Sequence, residues 1–283
     1  MSRLLVHLHI FYPEQIDYFL SKLANIKGCE WDLVVTSPSD LGENKEHILS
    51  FKPGTRFETV ENLGYDVWPF LKVLRETVTE NFDYVLKLHT KGTNPHHFNG
   101  LRMKNFQWRD IMVEALLGSA ERFAKVLSTV ETQTKVGMVY SYETECFCKG
   151  NFIEESSLLK NEAVRLGVGK TKGHYCAGTI FLARVSALRA FTASDIDASL
   201  FSSSAHSGDW GTLAHSYERL FALAVVDAGY TIRTLPSRWT TTLAVAFHKC
   251  VSAVLKFIFT VDKEGDKQTP YIVIFGFKIH LKG

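Results

Sequence analysis

The sequence predicts an α/β fold in which a mostly parallel sheet is covered by helices on both faces. Short apolar runs rich in β-formers alternate with stretches of helical periodicity from residue 4 to about residue 130. Clusters of glycine, proline, asparagine and serine separate these runs. The chain has 283 residues, 46% hydrophobic and 22% charged, which is enough for one large α/β domain or two small ones.

Each predicted strand is a short apolar run. Each predicted helix has apolar residues at helical spacing, and two of them have a proline near their start. The predicted strands cover residues 4–9, 32–36, 56–60, 84–88, 135–140, 178–184 and 231–235. The predicted helices begin near Pro13, Pro69 and Ser186, or cover residues 103–117, 119–130 and 211–228, the last one followed by Gly229.

Composition argues against several classes of protein. The net charge is only +2, so nucleic acid is not an expected partner. Apolar runs stay below the ~18 residues of a spanning helix, and the start of the sequence has no small-residue cleavage site, so we expect neither a spanning helix nor a signal peptide. The five scattered cysteines indicate a reducing, cytoplasmic location. Cys146 and Cys148 are expected to be reduced thiols rather than a metal site, because no second ligand pair lies nearby.

The composition changes near residue 240, so we predict a domain over residues 1–240 and a tail over residues 241–283. The tail begins with an amphipathic helix over residues 241–260, in which Phe247 lies on the apolar face. An apolar and basic hairpin or strand follows over residues 271–283. The sequence allows two interpretations: the tail packs on the domain, or its helix rests on a membrane surface.

The turn in ENLGYDVWPF, residues 61–70, follows a predicted strand and precedes a predicted helix. Gly64 permits a tight turn or close approach to a ligand. Asn62 and Asp66 can hydrogen-bond a ribose or a sugar hydroxyl, although Asp66 could instead cap the helix. The segment is neither G-x-G-x-x-G nor a P-loop, so it does not by itself predict a nucleotide site.

The segment FDYVLKLHTKG, residues 82–92, starts as a buried strand and ends in polar residues. His89 and Lys91 come directly after its apolar part. Ligands of α/β proteins gather just beyond the carboxyl ends of strands, so these two side chains are candidates for ligand binding.

Five segments occur in the order ENLGYDVWPF, FDYVLKLHTKG, NFQWRDIMVEALLGS, AGTIFLAR and GTLAHSYERLFALAVVDAGY. This series, within residues 4–235, resembles the rhamnan-synthesis protein F family, bacterial glycosyltransferases that build rhamnose-containing cell-surface polysaccharides. The resemblance implies a GT-A-like fold, with a Rossmann-like nucleotide-binding half and a mixed acceptor-binding half.

The resemblance also implies a reaction and a location. A deoxyhexose, most plausibly rhamnose from dTDP-rhamnose, would pass with inversion onto a growing polysaccharide or lipid-linked glycan. The enzyme would work at the inner face of the cytoplasmic membrane, with peripheral contact through residues 241–283. The alternatives are another nucleotide-sugar donor, a retaining mechanism, and a non-catalytic role in an assembly complex.

In GT-A enzymes the strand that corresponds to YVLKL usually ends in D-x-D, whose carboxylates hold a metal on the nucleotide diphosphate. His89 and Lys91 occupy those two positions here. The resemblance therefore implies that Lys91 supplies the positive charge, that His89 adds a hydrogen bond and that no metal cofactor is needed. Arg109 is a further candidate phosphate ligand. A metal held by His89 with His96 or His97 is the alternative.

Inverting transfer needs a general base. In GT-A enzymes of this type that carboxylate often lies about eleven residues before a G-Y pair that ends the same helix, which implies Glu218 before Gly229 here. Glu218 also lies on the apolar stripe of its helix, where an unpaired carboxylate is costly unless it faces a site. Asp209 is the second candidate, and it could instead cap the helix or bind an acceptor hydroxyl. Pairing of Glu218 with Arg184 or Arg219 is the structural alternative.

Four other residues complete the predicted site. His7 and His9 alternate on the first strand and so point to one face, beside the expected nucleotide base or into the core. Tyr175 and Gly178 enter the strand that the resemblance assigns to the acceptor side, and Gly178 would allow close approach of a sugar.

Overall fold

The structure is a computed structural model that describes residues 1–77, 81–149, 153–192, 196–201, 212–264 and 269–280. The strands are β1 (Arg3–His9), β2 (Glu30–Ser37), β3 (Arg56–Thr59), β4 (Tyr84–His89), β5 (His96–Phe98), β6 (Leu101–Met103), β7 (Val136–Ser141), β8 (Glu145–Cys148), β9 (Gly173–Cys176), β10 (Phe181–Arg184), β11 (Thr231–Leu235), β12 (Phe259–Glu264), β13 (Thr269–Ile274) and β14 (Phe277–His280). The helices are α1 (Ile16–Leu23), α2 (Asn44–Phe51), α3 (Val67–Thr77), α4 (Gln107–Leu117), α5 (Ala120–Thr132), α6 (Ile153–Arg165), α7 (Arg189–Thr192), α8 (Leu213–Asp227) and α9 (Trp239–Ile258).

A seven-stranded central sheet has the order β11-β7-β10-β4-β1-β2-β3. Its neighbouring strands are parallel except at β10, which runs antiparallel to both β4 and β7. The sheet thus combines a purely parallel half with a mixed half, which confirms the predicted α/β class. Because β1, β2 and β4 are parallel neighbours, their carboxyl ends meet at one edge of the sheet.

The centre of the sheet is buried on both faces. In β4 and β7 every residue is buried, and in β1 only the first residue is not. Strands covered on both sides are nearly continuous apolar runs, which is the pattern that the sequence shows. On one side, the rings of Phe70 in α3, Phe181 in β10 and Phe221 in α8 pack with centroids 5.4–5.8 Å apart. This aromatic cluster joins the two helices to the strand beneath them.

Several element boundaries differ from the predictions. The predicted strand over residues 178–184 begins only at Phe181, because Gly178 and Thr179 have φ angles of +85° and +53°. The helix predicted from residue 103 begins at Gln107, since the preceding residues pair in the β5–β6 hairpin. The predictions also missed α2, α6 and the β8–β9 hairpin. In α2 only Ile48 is buried, so its apolar stripe is too weak to recognise.

The tail forms α9 and a three-stranded antiparallel sheet of β12, β13 and β14. A buried carboxylate holds the start of α9 against the rest of the chain. Glu143 accepts hydrogen bonds from the backbone N–H of Ser237 at 3.0 Å, from its hydroxyl at 2.9 Å and from the Thr242 hydroxyl at 2.7 Å. The division of the chain near residue 240 stays a prediction.

The outer surface of α9 is apolar. This helix extends over 20 residues, and only 6% of its most apolar stretch is buried. By length and composition alone it could cross a membrane. Trp239, Phe247 and Leu255 are exposed, and so is Phe277 of β14.

Candidate functional site

A cleft of about 360 Å³ opens at the carboxyl edge of the central sheet. Four residues of the predicted binding and catalytic set line it: Asp66, Lys91, Gly178 and Glu218. They come from the turn before α3, the loop after β4, the turn before β10 and the middle of α8. Tyr12, Tyr65, His96, Trp108, Thr179 and His215 also contribute to the wall. The volume is in the range of small-molecule sites.

An ion pair lies in the wall of this cleft. Lys87, in the middle of β4, is fully buried and donates to Asp66 Oδ2. The same ammonium donates to the carbonyl oxygen of Thr179 at 3.2 Å and to its hydroxyl oxygen at 2.9 Å. The Thr179 hydroxyl in turn donates to Asp66 Oδ2 at 2.5 Å. All three N–H groups of Lys87 are thereby engaged.

Burial and neighbouring charges shift the pKa values of both members of this pair. Burial acts to raise the pKa of Asp66, but the charges of His89 in its protonated form, of Lys87 and of Lys91 outweigh it and hold that pKa well below its usual range. Burial lowers the pKa of Lys87, and the Asp66 carboxylate opposes this shift. An ammonium and a carboxylate in direct contact stabilise each other's charged forms.

His7 and His9 lie inside β1, behind the ion pair. His7 Nε2 and His9 Nδ1 each lie 2.9 Å from the hydroxyl of Thr36 on β2. That hydroxyl has one proton, so it can donate to only one ring at a time. Burial lowers the pKa of His9 to about 4 and that of His7 well below its usual value. Both rings are therefore neutral at pH 7, and neither belongs to the described cleft lining.

His89 ends β4 beside the ion pair. Its Nε2 lies 3.3 Å from Asp66 Oδ1, but neither ring nitrogen has a hydrogen-bond partner among the described residues. Burial is the main reason that the pKa of His89 lies well below its usual value. The ring is thus neutral and packed behind the cleft, in contact with the carboxylate that lines it.

Lys91 projects from the loop that follows β4, and this loop is held by hydrogen bonds. The Gln15 side chain donates to the Lys91 carbonyl oxygen at 2.7 Å, and the Thr90 hydroxyl accepts from the backbone N–H groups of Phe11 and Tyr12 at 2.9 and 3.0 Å. Lys91 lines the cleft and is half-buried. In the part of the chain that the structure describes, no carboxylate lies within ion-pair distance of its ammonium.

Arg109 lies outside the described cleft lining. Its guanidinium donates to Asp110 Oδ1 at 2.7 and 2.9 Å and is packed 3.5 Å from the centre of the Tyr18 ring and 4.3 Å from that of Phe106. It also donates to Gln15 Oε1 at 3.2 Å. The structure therefore places Arg109 behind the Lys91 loop, where it orients the glutamine that holds this loop.

Glu218 projects from α8 into the cleft. Its Oε1 accepts a hydrogen bond from the backbone N–H of Gly178 at 2.6 Å, and its Oε2 lies 3.5 Å from the Arg219 guanidinium. The predicted alternative, pairing with Arg219, is thus present as a long contact, whereas Arg184 donates to the carbonyl oxygen of Val136. Glu218 remains part of the cleft wall in this arrangement.

Gly178 and Thr179 form a left-handed turn that reaches both carboxylates of the cleft. The Gly178 N–H donates to Glu218, and the Thr179 hydroxyl donates to Asp66. A positive φ at a β-branched residue is a genuine outlier, and such strain is typical of functional sites. Gly178 also has no room for a side chain, because a Cβ would lie 2.7 Å from Met112 Sδ.

The other predicted residues are more distant from the cleft or not described. Tyr175 is buried under the Arg219 guanidinium, and burial raises the pKa of its hydroxyl. Gly64 has a φ of +57°, and a Cβ there would lie 2.5 Å from Phe201, so its close neighbour is a protein side chain. Asn62 is half-buried and outside the described lining, and Asp209 lies outside the described residues.

The described residues contain no group of three or more His, Cys, Asp or Glu side chains that could hold a metal ion. His96 stacks on the Trp108 ring with centroids 5.4 Å apart, and His97 is exposed. The carboxylate nearest to His89 is already paired with Lys87. The donor set in this part of the chain therefore does not resemble a D-x-D metal site.

Sequence reasoning missed Lys87, Thr179 and His215. The signal for Lys87 was present, because a lysine in the middle of the apolar run YVLKL must find a partner if the strand is buried on both faces. Thr179 gave no signal, since its role depends on a positive φ. His215 lies one turn before Glu218, on the same helix, and its Nδ1 is 2.8 Å from the Thr212 hydroxyl.

The fold and the cleft define an α/β protein with a polar cleft at the carboxyl edge of its sheet. The chain belongs to the rhamnan synthesis protein F family, whose sequence pattern matches residues 1–230. This confirms the resemblance noted in the sequence. Two curated relatives, both named uncharacterized protein WxcX, from two strains of Xanthomonas campestris pv. campestris, are 31% identical over 237 residues, or 81% of this chain. The aligned region is 32% of each relative, so the chain spans about a third of their length.

A solved structure of S. aureus TarS, residues 1–349, is 12% identical and aligns with a TM-score of 0.44. The alignment covers 88% of this chain and 65% of that one. A similarity at this level is too low to support an argument about this chain.

Substitution of Gly178 tests whether the turn depends on both its backbone conformation and its packing. Gly178→Ala should lower the free energy of unfolding by about 2–4 kcal/mol, because it combines left-handed strain with overpacking against Met112. Gly28→Ala is the matched control: Gly28 has nearly the same φ, +86°, but a Cβ added there would have nothing within 4 Å. That control should lose about 1–2 kcal/mol. Urea unfolding measures both, and equal losses would contradict the packing argument.

Proposed function

We propose that the protein is a glycosyltransferase of cell-surface polysaccharide synthesis that uses a nucleotide-sugar donor and a glycan acceptor. The observation that carries the proposal is the combination of a cationic side chain, Lys91, and a carboxylate, Glu218, in one cleft at the carboxyl edge of the sheet. Glycosyl transfer needs both: positive charge for the departing diphosphate and a base for the acceptor hydroxyl. Membership of the family supports the polysaccharide context.

At finer detail, we propose transfer of a deoxyhexose, rhamnose from dTDP-rhamnose, with inversion, onto a growing polysaccharide or lipid-linked glycan. The Lys91 ammonium would stabilise the diphosphate as the bond to the sugar breaks. A lysine is suited to this role because it is a compact charge that binds phosphate oxygens directly. The hydrogen bonds of Gln15 to the Lys91 backbone support such a role, since they fix the loop without occupying the ammonium.

Glu218 would take the proton from the acceptor hydroxyl as that oxygen attacks the sugar. Its Oε1 is held by the Gly178 N–H, so the carboxylate has a fixed orientation before any substrate binds. A fixed base is more effective because no reorganisation is needed in the transition state. Asp209 is the second candidate for the general base, or it binds a hydroxyl group of the acceptor.

We further propose that the reaction does not need a metal cofactor. The positions of D-x-D hold His89 and Lys91, and the histidine is buried and neutral rather than open to the cleft. A different donor, a retaining mechanism and a non-catalytic role in an assembly complex remain the alternatives to the full proposal.

Nucleotide binding is the first test. The melting temperature should rise with dTDP more than with UDP or GDP, and this rise should persist in EDTA, because the binding charge is part of the chain. Lys91→Met should weaken dTDP binding roughly tenfold or more, since a charge-assisted hydrogen bond contributes ~1.5–3 kcal/mol. Lys104→Met, which removes an exposed lysine elsewhere, is the matched control.

Either of two results would count against this account. A shift that requires Mg²⁺ or Mn²⁺ would show that a metal does the work assigned to Lys91. A lack of any shift with all three nucleotides would favour the non-catalytic role.

Replacement of Glu218 by glutamine tests the base. Glu218→Gln keeps the size of the side chain and an acceptor for the Gly178 N–H, but it cannot accept a proton. Turnover should fall by ~10²–10⁴-fold while dTDP affinity stays within about twofold. Glu61→Gln, on an exposed turn residue, is the control. Unchanged turnover of Glu218→Gln, with a large loss in Asp209→Asn, would assign the base to Asp209.

For the location, we propose peripheral contact with the inner face of the cytoplasmic membrane through α9 and the sheet of β12–β14. The polar side chains Thr242 and Lys249 of α9 donate to Glu143 and Glu145, whereas most of its large apolar side chains are exposed and only Val245 of α9 is buried. A surface helix of a soluble protein normally packs its apolar face on the core and exposes its polar face to water. Exposed Trp, Phe and Leu with nearby lysines are typical of helices that lie in a lipid interface.

Vesicle binding tests this location. The protein should co-sediment with vesicles that contain anionic lipid. Phe247→Ser with Phe277→Ser should weaken that binding by ~10²–10⁴-fold, since each buried aromatic side chain contributes ~1.5–3 kcal/mol. Phe147→Ser is the control, because Phe147 is also exposed but lies on β8. Equal binding by the double variant and the control would contradict the assigned surface.

A further inference from the structure

The two carboxylate oxygens of Asp66 have different surroundings. Oδ2 accepts from the Lys87 ammonium and the Thr179 hydroxyl. Oδ1 has only His89 Nε2 nearby among the described residues, at 3.3 Å, and that ring makes no hydrogen bond within the same part of the chain. Asp66 lines the cleft, with 14% of its side chain exposed. Oδ1 thus has room for a further donor on the cleft side, and a bound ligand with a donor group can complete its hydrogen bonding.

The ion pair also explains how a carboxylate can line a cleft that takes a diphosphate. An isolated negative charge there would repel the phosphates, whereas a carboxylate paired with an ammonium has nearly no net charge. Lys87 cannot bind the ligand itself, because it is fully buried and its three N–H groups are engaged. Its effect on the cleft is to cancel the charge of Asp66 and to fix Oδ2.

The position of Asp66 relative to Glu218 indicates which part of the ligand it meets. The two carboxylates accept hydrogen bonds from adjacent residues. Glu218 accepts from the Gly178 N–H, and Asp66 accepts from the Thr179 hydroxyl. Adjacent Cα atoms are only about 3.8 Å apart. The base must lie next to the carbon that is attacked, so a carboxylate anchored beside it lies next to the sugar that this carbon belongs to.

We propose, building on the proposed function, that Asp66 Oδ1 accepts a hydrogen bond from a hydroxyl group of the transferred sugar. Asp66 is thereby a specificity-determining residue, and Lys87 and Thr179 are positioning residues that hold it. The hydroxyl donates and the carboxylate accepts, so a sugar that lacks the hydroxyl, or a nucleotide without a sugar, does not gain from this contact.

The test compares the affinities of dTDP-rhamnose and dTDP for each variant by titration calorimetry. In Asp66→Asn, Lys87 and Thr179 require an acceptor at the Oδ2 position, so the NH₂ group takes the place of Oδ1 and cannot accept. The ratio of the dTDP-rhamnose affinity to the dTDP affinity should therefore fall roughly tenfold to a hundredfold. Thr179→Val should lower the same ratio, and Thr179→Ser, which keeps the hydroxyl, should restore it.

An unchanged ratio in Asp66→Asn would overturn the proposal. If the ratio is unchanged because both affinities fall equally, Asp66 lies at the nucleotide. If the wild-type protein binds neither dTDP nor UDP nor GDP, the proposed function itself is wrong. The two failures are thus distinguishable.

Charge rescue tests the role of Lys87. At pH 8, Lys87→Met should weaken dTDP binding more than tenfold, because Asp66 then faces the diphosphate without a counter-ion. The double variant Asp66→Asn/Lys87→Met carries neither charge and should recover most of that affinity. If Lys87 is only structural, the double variant should bind dTDP no more tightly than Lys87→Met. That result would overturn the positioning role. If Lys87→Met does not fold, the Thr179→Val and Thr179→Ser pair decides.

Discussion

The ion pair between Asp66 and Lys87 is the interaction on which the arrangement of the cleft depends. A lysine in the middle of a central strand is costly unless its charge is paired and its donors are satisfied. Lys87 meets both conditions only by binding the turn before α3 and the turn before β10 at once. Removal of one partner from such a buried pair typically costs about 3–5 kcal/mol, so the pair ties these segments firmly to the sheet.

The same pair accounts for the strained backbone at Thr179. A left-handed conformation at a β-branched residue costs about 1–3 kcal/mol and persists only where other contacts offset it. Here the Thr179 carbonyl and hydroxyl oxygens both accept from Lys87, and the hydroxyl donates to Asp66. With the turn fixed in this way, the preceding N–H of Gly178 is directed at Glu218. One buried charge thus controls the orientation of both carboxylates in the cleft.

The sequence predicted the central sheet and the cleft residues Lys91 and Glu218 better than the ion pair between Asp66 and Lys87. Apolar runs located the strands. The position after β4 indicated Lys91, and the family resemblance, supported by the apolar stripe of α8, implied Glu218. The structure brings both residues to one cleft. Arg109 was chosen for its charge, but the neighbouring Asp110 and two aromatic rings hold it behind the loop. The apolar run around Lys87 indicates that this lysine needs a partner. Only the tertiary structure shows that Asp66 and Thr179 supply it.

The tail shows a different limit of sequence reasoning. The apolar stripe of α9 predicted a helix, but both interpretations of the tail require the same stripe, so the stripe could not decide between them. The structure shows which face of α9 forms hydrogen bonds to the rest of the chain. Thr242 and Lys249 bond to Glu143 and Glu145, which leaves the apolar face outward. Because Glu143 fixes the first turn of α9 beside the end of β7, the outward position of the apolar face follows from contacts between α9 and the rest of the chain.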